Sequence, residues 1–280
     1  MRGKKAVVTL PVVALAGSLL WSPSGVRASD FWDEVRTPGL AAYRAAIAHG
    51  AEELAENRAR AALERAETAV AHLPKRAEAH VLRGRALARL GQQSLAAEAF
   101  EHALALDPEA LDDAQSAREA TECAMRVGRL GLARDVLLRL LSRTRDARVR
   151  RSARLLCAHV LLASGPEHLR RALRLYREAL RDGDESLEAL LSLALALHRS
   201  GDHEGARVIA ARVADAGHIK AKLLPPFMPA SERHSRMALL HSALGQRVDA
   251  KSSWSDAARS GGPWVSHAQA AGAPNRRQGR

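Results

Sequence analysis

Apolar positions follow two patterns along the 280 residues. Ala6 to Trp21 is an uncharged, mostly apolar run, preceded by the basic stretch Met1 to Lys5 and broken by Ser22-Pro-Ser-Gly25. From about residue 40 to 262 the apolar residues recur in short units instead: a small residue at a turn, then Ala, then an apolar plug. The clearest unit is Ala77 to Pro108, with Gly84, a turn at Gly91, then Ala96, Phe100 and Ala103. One period of 34 residues earlier stand Gly50, Asn57, Ala62, Ala69 and Pro74. Later units are marked by Gly128, Ala133 and Leu137, offset by three residues, and by Gly165, Ala172, Tyr176 and Ala179, with a loop lengthened around Pro166. A fifth has Gly201, Ala206, Ala210 and Val213; a sixth has Gly245, Ala250, Trp254 and Ala257, reached through the breaker Leu224-Pro-Pro226. No such unit buries its apolar face alone, so stacking has to supply the core.

Residues 77–108 resemble one tetratricopeptide repeat, and the weaker units extend the resemblance over about residues 40–262. The resemblance implies an all-α, right-handed solenoid of about six helix-turn-helix repeats. Small residues let the two helices of a unit approach, an aromatic fills the gap to the next pair, and Pro closes the second helix. It also implies a protein-interaction scaffold with no catalytic activity and no cofactor.

Composition agrees with close-packed helices. Hydrophobic residues make up 47% of the chain but aromatics only 3%. An Ala/Leu interior suits helix axes lying near one another, and Ala, Leu, Arg and Glu are strong helix formers. The formal charge of +12 first suggests nucleic acid. Four of those charges (Arg2, Lys4, Lys5, Arg27) sit in the first 28 residues, however, and the rest are spread among many acids. A solvated basic surface is the expectation, not a nucleic-acid partner.

Val26-Arg27-Ala28 places short residues where signal peptidase reads, so residues 1–28 are expected to be a secretory signal peptide cleaved after Ala28. The apolar run of about sixteen residues, interrupted by Pro11, falls short of the roughly twenty that span a bilayer, so no transmembrane span is expected in the mature chain. Residues 29–42 then read as an N-terminal cap, with Asp30-Phe-Trp-Asp33 packing over the first hairpin. Residues 43–262 read as the repeat domain, and 263–280 as a basic, mostly disordered tail in which His267 to Ala273 makes a short helix. The expected location is the periplasm or cell envelope. Cys123 and Cys157, 34 residues apart, are expected to be two buried free thiols.

Twelve histidines invite a search for chemistry. The chain has no HExxH, no Cys/His cluster, no GxSxG and no phosphate-binding glycine loop. Glu167-His168 and Asp202-His203-Glu204 fall at inter-helix loops, where polar residues face water. No metal or catalytic site is expected, which leaves a surface. In the repeat family the first helix of each unit lines a concave groove. Its ligand-facing positions fall here on Glu78, Arg85 and Arg89, on Arg118, Glu122 and Arg126, on His159, and on His198 and Arg199. The middle of that groove would be positive and fit a protein or peptide segment, an acidic one or a terminal carboxylate, on Arg forks. The Lys/Asn clamp of the chaperone-tail-binding subclass lacks its Asn residues here. The bland alternative is that Arg85 and Arg89 pair with nearby acids. A second use of the surface is tethering to anionic lipid or wall polymer through an Arg-rich face from Arg143 to Arg181, including the run Arg143, Arg145, Arg148, Arg150, Arg151 and Arg154.

Overall fold

The computed structural model describes residues 35–183, 186–215 and 225–273. The expected signal peptide and the Asp30–Asp33 cap lie outside the described residues. Thirteen α-helices, without a strand among the described residues, form six hairpins and a terminal helix. They are α1 (Leu40–Ala55), α2 (Ala59–His72), α3 (Ala77–Arg89), α4 (Gln93–Leu106), α5 (Ala114–Arg126), α6 (Leu130–Arg143), α7 (Ala147–Ser164), α8 (Leu169–Arg181), α9 (Leu187–Arg199), α10 (His203–Asp215), α11 (Ala230–Ala243), α12 (Arg247–Arg259) and α13 (Val265–Gly272). A 3₁₀ turn, Pro166–His168, fills the lengthened loop before α8.

The turns repeat one geometry. Gly91 has φ +77°, and Gln92 N–H donates to the Leu87 carbonyl at 3.0 Å, so a left-handed residue closes α3. The same bond spans Arg58 to Glu53, Arg129 to Ala124, Asp202 to Leu197 and Gln246 to His241. At the first of these Asn57 takes the left-handed position, with φ +64°. Asn tolerates that conformation best after Gly, because its short polar side chain bonds locally. Helix starts are marked less regularly. Asp113, Asp146 and Ser186 cap α5, α7 and α9 by accepting from backbone N–H groups of the first turn.

Within a hairpin the two helices meet through small residues. Gly84 of α3 lies so close to Phe100 of α4 that a Cβ there would stand 2.8 Å from the ring, and Phe100 is fully buried. The second helix of each hairpin forms the outer layer: α8 buries a single stripe, Ala172, Tyr176 and Ala179. Between hairpins, equivalent residues of first helices meet 34 or 35 positions apart. Tyr43 donates to Glu78 at 3.0 Å, and Arg85 Nε donates to Glu119 at 2.8 Å. The helices α1, α3 and α5 therefore run parallel, stacked as a solenoid.

The sixth hairpin breaks that order. Arg199 pairs with Glu232, Ser192 with Arg236, and Leu191 shares a cluster with Leu240. Numbers rise along α9, from 191 through 192 to 199, as they fall along α11, from 240 through 236 to 232, so the two helices are antiparallel. The 14-residue connection from Asp215 to Ala230, with Pro225, Pro226 and Pro229, allows this reversal. As a result α7 and α9 are buried over most of their circumference. The segment expected to begin a disordered tail also differs: α13 packs onto the repeats. Trp264 is buried, donates from Nε1 to the Leu162 carbonyl at 2.6 Å and lies under the Arg199 guanidinium at 4.3 Å from the ring centroid.

Candidate binding groove

The antiparallel return divides the expected groove into two parts. At the C-terminal end it is filled by the chain itself. His159 is 1% exposed and Arg199 is 7% exposed, so neither is available to a ligand, contrary to expectation. His159 Nε2 faces the Glu188 carboxylate at 3.0 Å and Nδ1 faces the Tyr176 hydroxyl at 2.8 Å. A carboxylate only accepts, so Nε2–H donates to Glu188 and Nδ1 accepts from Tyr176. Burial holds this imidazole below its ordinary pKa, with the Glu188 bond opposing.

Beside it lies a buried ionic cluster that sequence reasoning missed. Arg199 Nη1 donates to Glu232 Oε2 at 2.9 Å, its Nη2 lies 2.7 Å from Oε1, and Arg236 Nη1 stands 3.4 Å from Oε2. Burial alone would raise the Glu232 pKa, but the two guanidiniums outweigh it and the net direction is down. Arg236 Nε also donates to Ser192 at 3.2 Å. The only hint in the sequence is charge inside an otherwise Ala/Leu-rich helix pattern.

His198 is half-buried and meets His267 of α13, Nδ1 to Nε2 at 3.1 Å, with the His203 ring 4.5 Å from its own. Burial, then neighbouring cationic and imidazole groups, lower His198 to about 3; burial and Arg199 lower His267 to about 4. Both values lie below the unfolded His value near 6.5. Between pH 6.5 and 4 the unfolded chain therefore binds protons that the folded chain refuses, and stability falls as pH falls. The slope stays below the ~1.4 kcal/mol per pH unit of one fully shielded site, because both rings are partly open to solvent. Denaturant melts across that window are expected to show a shallower pH slope for H198Q/H267Q than for the unmodified chain. Equal slopes would assign the dependence to another group, such as His159, whose pKa burial also lowers.

The N-terminal part of the groove, along α3, α5 and the start of α7, is open. Its charges are largely balanced inside the chain. Glu119, not singled out in the sequence, sits between Arg85 at 2.8 Å and Arg89 at 3.6 Å, and Arg89 also donates to the Leu54 carbonyl. Arg118 pairs with Glu122 one turn on at 2.8 Å. Glu78 accepts from Tyr43. The bland alternative thus holds for Arg85 and Arg89, whereas Arg126 stands exposed on the last turn of α5. Between α5 and α7 the helices splay over α6 and leave a slot of about 390 Å³. Leu137, Leu140, Leu156 and Val149 line it, with Arg118 and Arg148 among its polar lining residues.

Cys123 and Cys157 are buried free thiols, as expected, and burial pushes both up to about 11. Among the described residues no group of three or more His, Cys, Asp or Glu is placed to hold a metal ion, and no helix is long and apolar enough to cross a membrane.

Stacked antiparallel hairpins define a helical-repeat protein. Two profiles of the tetratricopeptide repeat match the chain, at residues 77–110 and 157–220. It is a tetratricopeptide repeat protein, and that fold is one of protein-interaction scaffolds. Among solved structures it is similar to YrrB, described as a TPR protein with an unusual peptide-binding site. That match has 17% identity and a TM-score of 0.55, over 64% of this chain and 87% of that one. It is also similar to MamA from Desulfovibrio magneticus RS-1, at 20% identity and a TM-score of 0.51, over 62% of this chain and 94% of that one. At these identities the likeness is one of fold. No curated protein sequence matches the chain significantly.

Proposed function

We propose that the chain is an exported, non-catalytic scaffold of the periplasm or cell envelope that holds an extended protein segment in the open half of its groove. The slot between α5 and α7 supports this reading most directly. It has the volume of a small ligand pocket, an apolar floor and the exposed Arg148 at its edge. An apolar side chain of the partner would fill it, while an acidic neighbour reaches Arg118, Arg126 or Arg148. The peptide-binding site described for YrrB is a use of the same kind. Burying one Leu- or Phe-sized side chain contributes about 1.5–3 kcal/mol, enough to decide capture. Export rests on the composition of residues 1–28.

The test purifies the chain from the envelope fraction of its own cells, where its first residue is expected to be Ser29, together with whatever crosslinks to it. Ala114→Phe, which fills the slot from an exposed position, and the triple variant R118E/R126E/R148E should each lower recovery of that same partner roughly tenfold. Helicity should be unchanged. Undiminished capture by both variants, or loss only alongside loss of helicity, sinks the reading.

A further inference from the structure

Among the described residues, α8 carries a cationic stripe that no carboxylate neutralises. Arg170, Arg174, Arg177 and Arg181 are all exposed on α8, at spacings of four, three and four residues. That places them along one face, over a length of about 16 Å. None of the four pairs with a described carboxylate. The nearest acids on the same element are turned away: Glu178, and Asp182 just after the helix, both engage Arg154 of α7.

The neighbouring outer helices differ. Arg134 of α6 pairs with Asp135, and Arg207 of α10 pairs with Glu204. The run expected to share this role is also neutralised at its ends. Arg143 pairs with Glu109 and Asp112, Arg154 with Glu178 and Asp182, while Arg150 donates to the Thr144 and Arg145 carbonyls. Arg145 and Arg148 stay exposed as well, at the start of α7, but the regular row of the face expected from Arg143 to Arg181 lies on α8.

The geometry points to this face of α8 as a docking surface for an anionic phospholipid bilayer. Four like charges in a row demand a partner of opposite sign, and α8 lies in the outer layer. A flat surface can therefore meet it without entering the groove. Leu173 and Leu180, partly buried, lie between the arginines in a shallow open depression. They and the arginine stems give an apolar base below charged tips, the arrangement that suits a headgroup interface. The depression is lined by no aromatic ring on which a nucleobase could stack. This surface is separate from the peptide slot, so either reading can fail alone.

The test is flotation of the full chain with vesicles of phosphatidylcholine alone and of phosphatidylcholine mixed with phosphatidylglycerol. The apolar run at residues 6–21 is common to every variant, so the quantity read is the gain on adding phosphatidylglycerol. Each guanidinium near an anionic surface is worth roughly fivefold in partition. R170Q/R174Q/R177Q/R181Q should therefore reduce that gain about a hundredfold or more. The matching lysine variant, R170K/R174K/R177K/R181K, should retain most of it. A control lowering the same charge elsewhere, R58Q/R60Q/R65Q/R76Q, should change it less than about threefold, because attraction at an exposed surface fades beyond a Debye length of roughly 8–10 Å. The proposal is overturned if phosphatidylglycerol adds nothing to binding, if the control falls as far as the stripe variant, or if the lysine variant falls with the glutamine one. A stripe variant that keeps the full gain on phosphatidylglycerol also overturns it.

Discussion

Replacing Glu232 with Gln is expected to destabilise the protein by about 3–5 kcal/mol, the range measured when one partner of a buried ionic group is removed. Glu232 is 3% exposed and its carboxylate is the acid on which both Arg199 and Arg236 converge. Gln keeps the shape and one acceptor but leaves two guanidiniums out of water without a countercharge. The cluster joins α9 to the antiparallel α11, and Arg199 also lies over Trp264, so the loss should appear first in the C-terminal hairpin. Tryptophan fluorescence during urea unfolding reads that region through Trp254 and Trp264. A second variant separates charge from packing. The apolar replacement R199M/E232L/R236M removes all three charges together and should lie much closer to the unmodified protein, because no ion is left unpaired. If Glu232→Gln costs less than about 1 kcal/mol, the range of an exposed pair, the cluster does not hold α11 in place.

The second large effect belongs to the close approach of α3 and α4. Phe100→Ala removes a fully buried ring and is expected to cost about 3–5 kcal/mol, with the cavity adding to the lost transfer energy. Gly84→Ala places a Cβ 2.8–3.0 Å from three atoms of the same ring, which is overpacking and should cost about 1–3 kcal/mol. The two changes are opposite errors in one space, so the double variant G84A/F100A should be less destabilised than the sum by about 0.5–3 kcal/mol. Chemical denaturation of the four proteins gives the coupling. Strict additivity would mean that the glycine is needed for its backbone and not for the ring.

These two contacts differ in how far the sequence announces them. Gly84 and Phe100 were both legible, because each sits at a fixed place in a recurring unit and the unit has one way to close. Asn57, Gly91, Gly128, Gly201 and Gly245 were legible for a related reason: each turn requires a left-handed residue, and few residue types supply one. Of the site residues, the repeat placed Arg85 and Arg89 on the concave helix but not the acid between them. Glu119 lies 34 residues from Arg85, one period away, so a search for opposite charges at that spacing would have found it. His159 and Arg199 were placed at ligand-facing positions on the premise that α11 continued the stack. Its reversal turned them into core. The prolines before α11 hinted that the stack was interrupted, without saying in which direction the chain resumed.

What the sequence by itself determined is the local half of the structure: helical hairpins, their turns, the small residues at their contacts and the buried thiols. Those features depend on backbone conformations and side-chain sizes within a few residues, or on a regular repeat that carries one solution along the chain. Only the tertiary structure decided the direction of α11, the closure of the groove by Trp264 and α13, and which arginines keep an unbalanced charge. Each of these depends on what stands opposite a residue. That partner is set by how separate helices stack, as with Glu232 beside Arg199 or the empty solvent beside Arg174.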